Sequence, residues 1–559
     1  MSNPYAATVS NAATPQSEPL FGRDQVANRA RGYVFKIDPW EHLDRFLILG
    51  TEGGTYYATE RELTREACAG VLALIASDGP RVVAHIAEVS HAGRAPRNTP
   101  VIFALAAASV LGDEATKAAA NAALPKVCRI GTHLFQWAES LRALNGHGPS
   151  GAGQRRALVK WYLDKSADDL AYDLAKYQQR EGWSHRDLLR LCKPGGKQVT
   201  GLGKRDYARR SALSWATRCE VKDKETGESS LRPIQYPRSL PKILKAYEEA
   251  KAAATESEVV KLIADHGLVR EMVPSQWLNS AAVWEALLAD MPMTAMVRNL
   301  GKMTAVGLLK PLSAAEVLVA RHLADAERIR KARLHPVALL NALKVYGSGH
   351  GVKGSLSWTP AQGVLSALET AFDLAFQTVE PCGKRLYLAI DGSGSMTAAK
   401  CIGLEALACV EGAAAMAMTT ARREERFYVS GFDTSLRALA VTKATGLGAI
   451  VRQLGYGGGT DASIPFKHAM AAGLDVDVFV VYTDSETWAG VRHPCVALET
   501  YRQKSGIAAK LAVVAMSCTE YSIGDRADAG TVNVVGFDSA APALIADFAR
   551  GGAPLDSSR

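Results

Sequence analysis

The sequence predicts a multidomain chain in which an α-solenoid of helical pairs is followed by an α/β doubly wound domain. From about residue 60 to residue 378, apolar residues recur at intervals of three and four, the spacing of one helix face. After Pro381, short apolar runs rich in β-branched residues alternate with helical segments, which predicts a mostly parallel sheet between layers of helices. A chain of 559 residues is long enough for both domains.

The first region is predicted to consist of many short helices. Gly- and Pro-rich stretches such as Asn145-Gly-His-Gly-Pro149 separate the periodic segments and mark where helices end. Short helices in series are typical of a solenoid, in which neighbouring pairs share one core. Examples of the predicted helices span residues 64–76, 101–111, 134–144, 158–163, 168–177, 188–191, 243–254, 280–288, 314–323, 336–345 and 360–376.

The second region is predicted to alternate strands with helices. Asp391 and Asp484 each follow an apolar strand-like run, so both are expected at the carboxyl edge of the sheet, where open α/β sheets bind ligands. The predicted strands span residues 386–390, 426–431, 436–439, 476–482, 510–515 and 532–535, and the predicted helices span 397–420, 446–454, 463–472 and 541–549.

Oxygen-bearing side chains at this edge predict a site for a divalent cation, Mg²⁺ above all. Alternate residues of an extended loop point the same way, so Asp391, Ser393 and Ser395 can converge on one point. Thr460 adds a hydroxyl from a Gly-rich loop, and Asp484 is placed to hold a coordinated water. Mg²⁺ prefers such hard ligands and keeps an open position, which an acidic group of a partner could fill. The alternative is a Ser/Gly turn that only caps the following helix.

Basic residues are concentrated in the middle of the chain. Residues 151–251 hold 22 Lys and Arg against 13 Asp and Glu, a net +9, whereas residues 384–559 hold 17 against 18. A concentrated positive charge suits an anionic polymer, although a solvated helical surface gives the same count. Nine scattered cysteines without a CxxC pair favour a reducing, cytoplasmic compartment. Residues 1–20 are predicted to be a disordered tail, and no segment is predicted to span a membrane.

Longer motifs resemble two known domains. The sequence from about Lys384 onwards resembles the von Willebrand factor A domain with its metal-ion-dependent adhesion site, and the upstream motifs resemble the TROVE domain. This order of domains is that of the Ro autoantigen family, which predicts a TROVE domain of HEAT-like helical pairs over 21–380 and an A-like domain over 381–559. The TROVE-like motifs are Gly32-Tyr-Val-Phe35, Asp38-Pro-Trp40, Leu124-Pro-Lys-Val-Cys-Arg-Ile-Gly-Thr-His-Leu-Phe135 and Gly182-Trp-Ser-His-Arg-Asp-Leu-Leu-Arg-Leu191.

The resemblance implies a function in RNA quality control without catalysis. It implies a monomeric ring of helical pairs closed by the A-like domain, with small structured Y RNA bound on a basic outer surface. It also implies that the central hole accepts single-stranded 3′ ends of misfolded RNA. In bacterial relatives, a Y RNA is implied to tether the ring to a 3′ exonuclease, polynucleotide phosphorylase.

The RNA-contacting residues of the family map onto Lys176, Arg180 and Lys193. Lys176 and Arg180 are four apart on a predicted helix, so that both side chains would face one way and bind adjacent phosphates. Lys193 stands where the family more often carries His, so phosphate binding is expected to persist there without imidazole stacking. Arg186 and Arg190, again four apart, would extend the same basic stripe.

Two other functions remain open on the residues alone. One is a protein-adhesion module without an RNA role, in which the metal site binds an acidic residue of a partner. The other is a metal-dependent nuclease at Asp391 and Asp484. The hydroxyl-rich ligand set disfavours the nuclease, because two-metal nucleases use more carboxylates.

Overall fold

A computed structural model describes most of the chain. The described residues are 14–50, 60–194, 202–203, 205–222, 229–332, 334–352, 354–375, 380–400, 407–455, 457–538 and 540–551.

Helices dominate the first two thirds of the described chain. Every helix named in the prediction overlaps an observed one, and the structure adds six helices that were not named individually: α1, α4, α9, α11, α13 and α15. The elements are β1 Val26–Ala27, β2 Tyr33–Lys36, α1 Pro39–Leu49, α2 Glu60–Ala92, α3 Thr99–Leu111, α4 Glu114–Val127, α5 Gly131–Asn145, α6 Ala152–Leu163, α7 Ala167–Lys176, β3 Gln179–Arg180, β4 Trp183–Ser184, α8 His185–Cys192, α9 Tyr207–Ala216, β5 Glu220–Lys222, β6 Ser229–Leu231, α10 Lys242–Ala252, α11 Glu256–His266, α12 Ala281–Ala289, α13 Met293–Ala305, α14 Ala314–Leu323, α15 Ala326–Lys331, α16 Pro336–Ser348 and α17 Gln362–Leu374.

The helices form a continuous series of neighbours. Helix α1 packs on α2, α2 on α3 and α4, α4 on α6, α6 on α8, and α8 on α9. The series continues from α9 to α7, α10, α11, α12, α13 and α16, and α16 packs on α17. Each helix thus buries its apolar face against sequence neighbours, as in a solenoid.

A six-stranded sheet forms the centre of the C-terminal domain. Its order is β13-β11-β10-β7-β8-β9, with β9 antiparallel and the other pairs parallel. Alternate residues of β7 belong to two separate apolar cores, with Leu388 in one and Tyr387 in the other, so both sheet faces are covered. The elements are β7 Leu386–Asp391, α18 Gly394–Ala398, α19 Cys409–Arg423, β8 Phe427–Phe432, β9 Leu436–Ala438, α20 Leu447–Leu454, α21 Ile464–Ala471, β10 Val478–Thr483, α22 Pro494–Ser505, β11 Lys510–Ala515, β12 Tyr521–Ser522, β13 Thr531–Val535 and α23 Ala541–Arg550.

The predicted doubly wound class is confirmed for this domain, and some observed elements differ from the predicted ones. All six predicted strands are present. The single helix predicted over 397–420 is observed as α18 and α19, and residues 401–406 between them lie outside the described residues. Helix α22 and the short strand β12 were not predicted.

Both ends of the helical series contact the C-terminal domain. Near the first end, the fully buried Arg45 of α1 donates from Nη1 to the carbonyl oxygens of Thr519 and Tyr521, each at 2.8 Å. Near the last end, Arg422 of α19 forms an ion pair with Asp373 of α17. The series of contacts is therefore closed through the C-terminal domain, as the predicted ring requires.

The segment before α1 belongs structurally to the C-terminal domain. Strands β1 and β2 pair with β12 in a three-stranded antiparallel sheet. Gln16 and Leu20 are both buried, and the backbone amide of Gln16 donates to the carbonyl of Gly490 at 2.8 Å. The prediction of a disordered tail is therefore wrong for residues 14–20, and residues 1–13 lie outside the described residues.

One helical segment, Ala69–Ala92, has the length and mean hydropathy of a membrane span. A helix in the core of a soluble protein passes the same test, and α2, which contains this segment, packs against α1, α3 and α4. Pro80 lies inside it, and Asp78 interrupts its helical backbone. The absence of a membrane segment stays a prediction.

Candidate metal centre and nucleic-acid interface

The five predicted metal ligands meet at one edge of the sheet. Strands β7 and β10 are parallel neighbours that pair Ile390 with Tyr482, so Asp391 and Asp484 emerge side by side. Ser393, Ser395 and Thr460 are buried with them, and none of the five is more than 2 % exposed.

Hydrogen bonds fix the first of these loops around Asp391. The amide of Ser393 donates to Asp391 Oδ1 at 3.0 Å, and Thr483 Oγ1 donates to Asp391 Oδ2 at 2.6 Å. The hydroxyls of Ser393 and Ser395 lie 3.2 Å apart. Ser393 precedes the five-residue helix α18, yet its side chain makes no capping bond. The side chain of Ser393 therefore does not cap this helix.

A glycine-rich loop carries Thr460 to the same point. Gly457 and Gly458 have φ values of 122° and 90°, which a residue with a Cβ rarely adopts. The carbonyl of Thr460 accepts from the amides of Trp488 and Ala489, both at 3.0 Å. These bonds tie the Thr460 loop to the chain that follows Asp484.

The electrostatics of the site favour a bound cation. Burial and the neighbouring Asp484 raise the pKa of Asp391 to about 7, and burial raises the pKa of Asp484. In the described part of the chain, neither carboxylate forms an ion pair with Lys or Arg. Thr460 Oγ1 and Asp484 Oδ2 are buried without a hydrogen-bond partner among the described residues. Because unpaired buried carboxylates are costly, this set of oxygens fits a divalent cation.

The predicted helical pair of Lys176 and Arg180 is wrong. Helix α7 ends at Lys176, and Arg180 lies in the β3–β4 hairpin, where it pairs with Trp183. Glu181 and Gly182 form its two-residue loop, and both have positive φ values, 53° and 76°. Two such residues are typical of a type I′ turn, and helix α8 begins three residues after Gly182.

Both cations of this pair remain on the surface. The ammonium of half-buried Lys176 lies 3.0 Å from Tyr172 Oη and near the rings of Tyr172 and Tyr177. The side chain of Arg180 is 57 % exposed and pairs with Glu181 at 3.1 Å. An exposed pair of this kind contributes little to stability, so Arg180 can exchange Glu181 for a phosphate at small cost.

Helix α8 presents the other predicted RNA residues. Arg186 and Arg190 are four apart on this helix, as predicted, with Arg186 half-buried and Arg190 exposed. Lys193 is exposed and caps the helix in the left-handed conformation, with φ 45°. Among the described residues, none of these three cations forms an ion pair with a carboxylate. Helix α8 therefore has a basic outer side.

His185, the first residue of α8, lies buried beneath this surface. It is fully buried, its Nδ1 lies 2.9 Å from Tyr162 Oη, and burial lowers its pKa to about 3. Its ring also packs against Phe135 and Trp161. These contacts make His185 a packing residue that anchors the start of α8.

Comparison with known proteins identifies both regions. Residues 26–344 match the TROVE domain, and residues 385–549 match the Ro60 vWA domain. This chain belongs to the Ro60 family of TROVE proteins. Within that family, the "RNA-binding protein RO60" of Caenorhabditis elegans is 36 % identical over 94 % of this chain and 90 % of its own length.

Bacterial Ro60 proteins resemble the chain equally well. The "RNA-binding protein RO60" of Deinococcus radiodurans is 37 % identical over 96 % of this chain and 97 % of its own length. The crystal structure of the Deinococcus radiodurans RO (RSR) protein superposes with a TM-score of 0.66 at 35 % identity, covering 92 % of this chain and all of that one. The two-domain architecture is therefore that of a Ro60 protein.

Sequence reasoning missed the residues that support the candidate metal site of this Ro60 protein. Glu486 is buried beside Asp484; burial, and then the charge of Asp484, raise its pKa to about 7. Glu486 accepts from the amide of Ala30 at 3.1 Å and from the hydroxyl of Tyr521. Asn28 Nδ2 donates to the carbonyls of the same loop. The only local signal for this support was that Glu486 is an acidic residue two positions after Asp484. Nothing in the sequence links Glu486 to residues 28–30.

Proposed function

We propose that this Ro60 protein is a non-catalytic RNA-binding protein that binds small structured noncoding RNA of the Y type. The observation that carries the proposal is the basic outer side formed by α7, the β3–β4 hairpin and α8. Lys176, Arg180, Arg190 and Lys193 reach solvent there, and the surrounding residues 151–251 carry a net charge of +9. Clustered exposed cations of this kind bind phosphates.

The relatives support the same proposal. Both Ro60 relatives named above are called RNA-binding proteins, and this chain matches each of them over nearly its full length. The closed series of helix contacts is compatible with a central hole that accepts single-stranded 3′ ends of misfolded RNA. The proposed role is RNA quality control in the cytoplasm by a monomeric ring, with a bound Y RNA tethering a 3′ exonuclease such as polynucleotide phosphorylase.

The metal centre has a separate proposed role. Asp391, Ser393, Ser395, Thr460 and Asp484 would hold Mg²⁺, which supplies a positive charge able to attract an acidic group of a partner. The protein residues position that charge: Thr483 and the Ser393 amide orient Asp391, and the Trp488 and Ala489 amides hold the Thr460 loop. The site is proposed to dock a ligand and to perform no reaction.

Crosslinking in cells, followed by sequencing of the RNA that co-purifies with the tagged chain, tests the RNA function. We expect a small structured noncoding RNA to dominate the wild-type library and to be depleted with Lys176→Ala/Arg180→Ala. A matched control, Lys331→Ala, removes an exposed lysine of α15 and should leave the library unchanged. A library without enrichment over the untagged cells would contradict the proposal.

Purified protein separates the remaining functions. Labelled RNA incubated with the chain and Mg²⁺ should stay intact. Cleavage that Asp391→Ala abolishes would identify a nuclease instead. Mg²⁺-dependent capture of an acidic protein by a chain that binds no RNA would identify an adhesion module.

A further inference from the structure

An exposed aromatic pair lies on the helical region outside the predicted RNA residues. Tyr207 opens α9, and Tyr236 precedes the short 3₁₀ turn Pro237–Ser239. The two ring centroids are 4.9 Å apart, and the ring planes are inclined by 56°. Even in contact, the residues remain 44 % and 43 % exposed. Neither hydroxyl bonds to another residue that the structure describes, so hydrogen bonding does not account for the pair.

The backbone holds Tyr236 in an uncommon conformation. Its φ and ψ are 55° and 56°, the left-handed region that a bulky residue seldom occupies. The backbone amide of Ser239 donates to the Tyr236 carbonyl at 2.9 Å, and the backbone amide of Gln235 donates to Ser214 Oγ of α9 at 2.9 Å. Strained residues of this kind persist where the surroundings hold them and are frequent at binding sites.

Arginines without acidic partners among the described residues lie near both tyrosines in sequence. Arg205, Arg232 and Arg238 are exposed, and within the described ranges none of them forms an ion pair. In the same helix as Tyr207, Arg209 is neutralised by Asp206. The cations near the two rings in sequence are therefore available to an anion.

We propose that Tyr207 and Tyr236 stack on unpaired bases of RNA while Arg205, Arg232 and Arg238 bind the flanking phosphates. This inference rests on the proposed RNA-binding function and assigns it a second contact surface. Aromatic faces stack on any base, and interleaved cations follow the backbone of a single strand. An acidic protein would use the arginines but has no need of two exposed rings.

The position of the pair fits a strand that continues from the basic outer side. Helix α9 packs directly on both α7 and α8, which carry Lys176, Arg186 and Arg190. A structured RNA held on α7 and α8 can therefore pass an unpaired segment across α9. The ligand class is single-stranded RNA, or the single-stranded part of a partly folded RNA.

Fluorescence anisotropy with the full chain tests the inference. The probe is a labelled oligoadenylate of about 12 nucleotides, within the usual range of single-strand binding sites. Tyr207→Ala/Tyr236→Ala should weaken its binding by about ten-fold or more, because stacking on both rings is lost. Tyr207→Phe/Tyr236→Phe keeps the rings and should bind within about two-fold of wild type.

A blunt-ended RNA duplex, which has no unpaired bases, makes the two proposals distinguishable. The alanine pair should bind it as wild type does, whereas Lys176→Ala/Arg180→Ala should bind it more weakly. Unchanged oligoadenylate binding by the alanine pair would overturn the stacking site and leave the RNA function standing. Failure of the wild type to bind either RNA would overturn both.

Two further outcomes keep the test independent of folding. Ultraviolet crosslinking of wild-type protein to the oligoadenylate should give nucleotide adducts on Tyr207 or Tyr236 by mass spectrometry, and adducts confined to other elements would overturn the inference. A loss of binding in the phenylalanine pair as large as in the alanine pair would also overturn it, because the rings are then not the determinant.

Discussion

The contact between the N-terminal segment and the loop that follows Asp484 gives a sharp prediction for Gly32→Ala. A Cβ at Gly32 would lie 1.9 Å from the carbonyl oxygen of Thr487, whereas ordinary contact begins at 3.4 Å. One of the two backbones would therefore move by about 1.5 Å. The movement would also break the bonds from Asn28 Nδ2 to the carbonyls of Ser485, at 3.1 Å, and Thr487, at 2.8 Å.

The expected loss is about 3 kcal/mol of stability in the C-terminal domain. Two buried hydrogen bonds account for about 2 kcal/mol, and residual strain for about 1 kcal/mol more. For a domain of this size, the loss lowers the melting temperature by about 6–12 °C. Since the displaced loop begins at Asp484, the variant should also bind Mg²⁺ more weakly. Differential scanning calorimetry with and without Mg²⁺ measures both effects.

Gly446→Ala is the matched control. Gly446 lies in the same domain, has an ordinary φ of −77°, and has no atom within 4 Å of an added Cβ. Its melting temperature should change by no more than about 3 °C, because Gly→Ala at a permissive site alters stability by under about 1 kcal/mol. If Gly32→Ala melted and bound Mg²⁺ like this control, the docking of the N-terminal segment on the loop that follows Asp484 would be refuted.

Two further predictions concern the metal site and buried histidine. Mg²⁺ at ten times its Kd should stabilise the wild-type chain by about 1.4 kcal/mol, and Thr460→Val should abolish this stabilisation. The control Ser211→Ala, which removes a hydroxyl in α9 that is buried without a partner among the described residues, should keep it. Equal calorimetric responses of the two variants to Mg²⁺ would contradict the assignment of Thr460. The pKa of His185 falls from 6.5 to about 3 by burial, so its contribution to stability is full above pH 6.5 and is lost as pH falls toward 3. Between pH 7 and pH 5, the free energy of unfolding should therefore fall by about 2 kcal/mol less in His185→Gln than in wild type. Urea titrations that show the same fall in both proteins would contradict this.

The sheet and the meeting of the proposed metal ligands at its edge were predictable because their signals are local. Strands β7 and β10 are buried on both faces, and such strands read as unbroken apolar runs. Asp391 and Asp484 follow these runs directly, so the parallel sheet brings them together without further information. Helix α4 was not named individually because its buried side is formed largely by small residues, such as Ala120 and Ala123, which give a weak apolar period.

Features that depend on distant contacts were not predictable from one sequence. Asn28 bonds to Thr487 across 459 residues, and no local pattern links them. The hairpin at Arg180 is a failure of a different kind, because its turn signal was present. Glu181-Gly182 between Arg180 and Trp183 is a two-residue loop, and the four-residue spacing was interpreted as helical instead.

The salt dependence of RNA binding tests the central claim most directly. Affinity of the full chain for a small structured RNA should be measured between about 50 and 200 mM salt, where phosphate-dominated binding falls by orders of magnitude. Lys176→Ala/Arg180→Ala should bind more weakly and should flatten the logarithmic salt slope by about two units, one for each lost phosphate contact. Absent or salt-independent binding of the wild-type chain would contradict the account, and an unchanged slope in the variant would place the RNA contact on another surface.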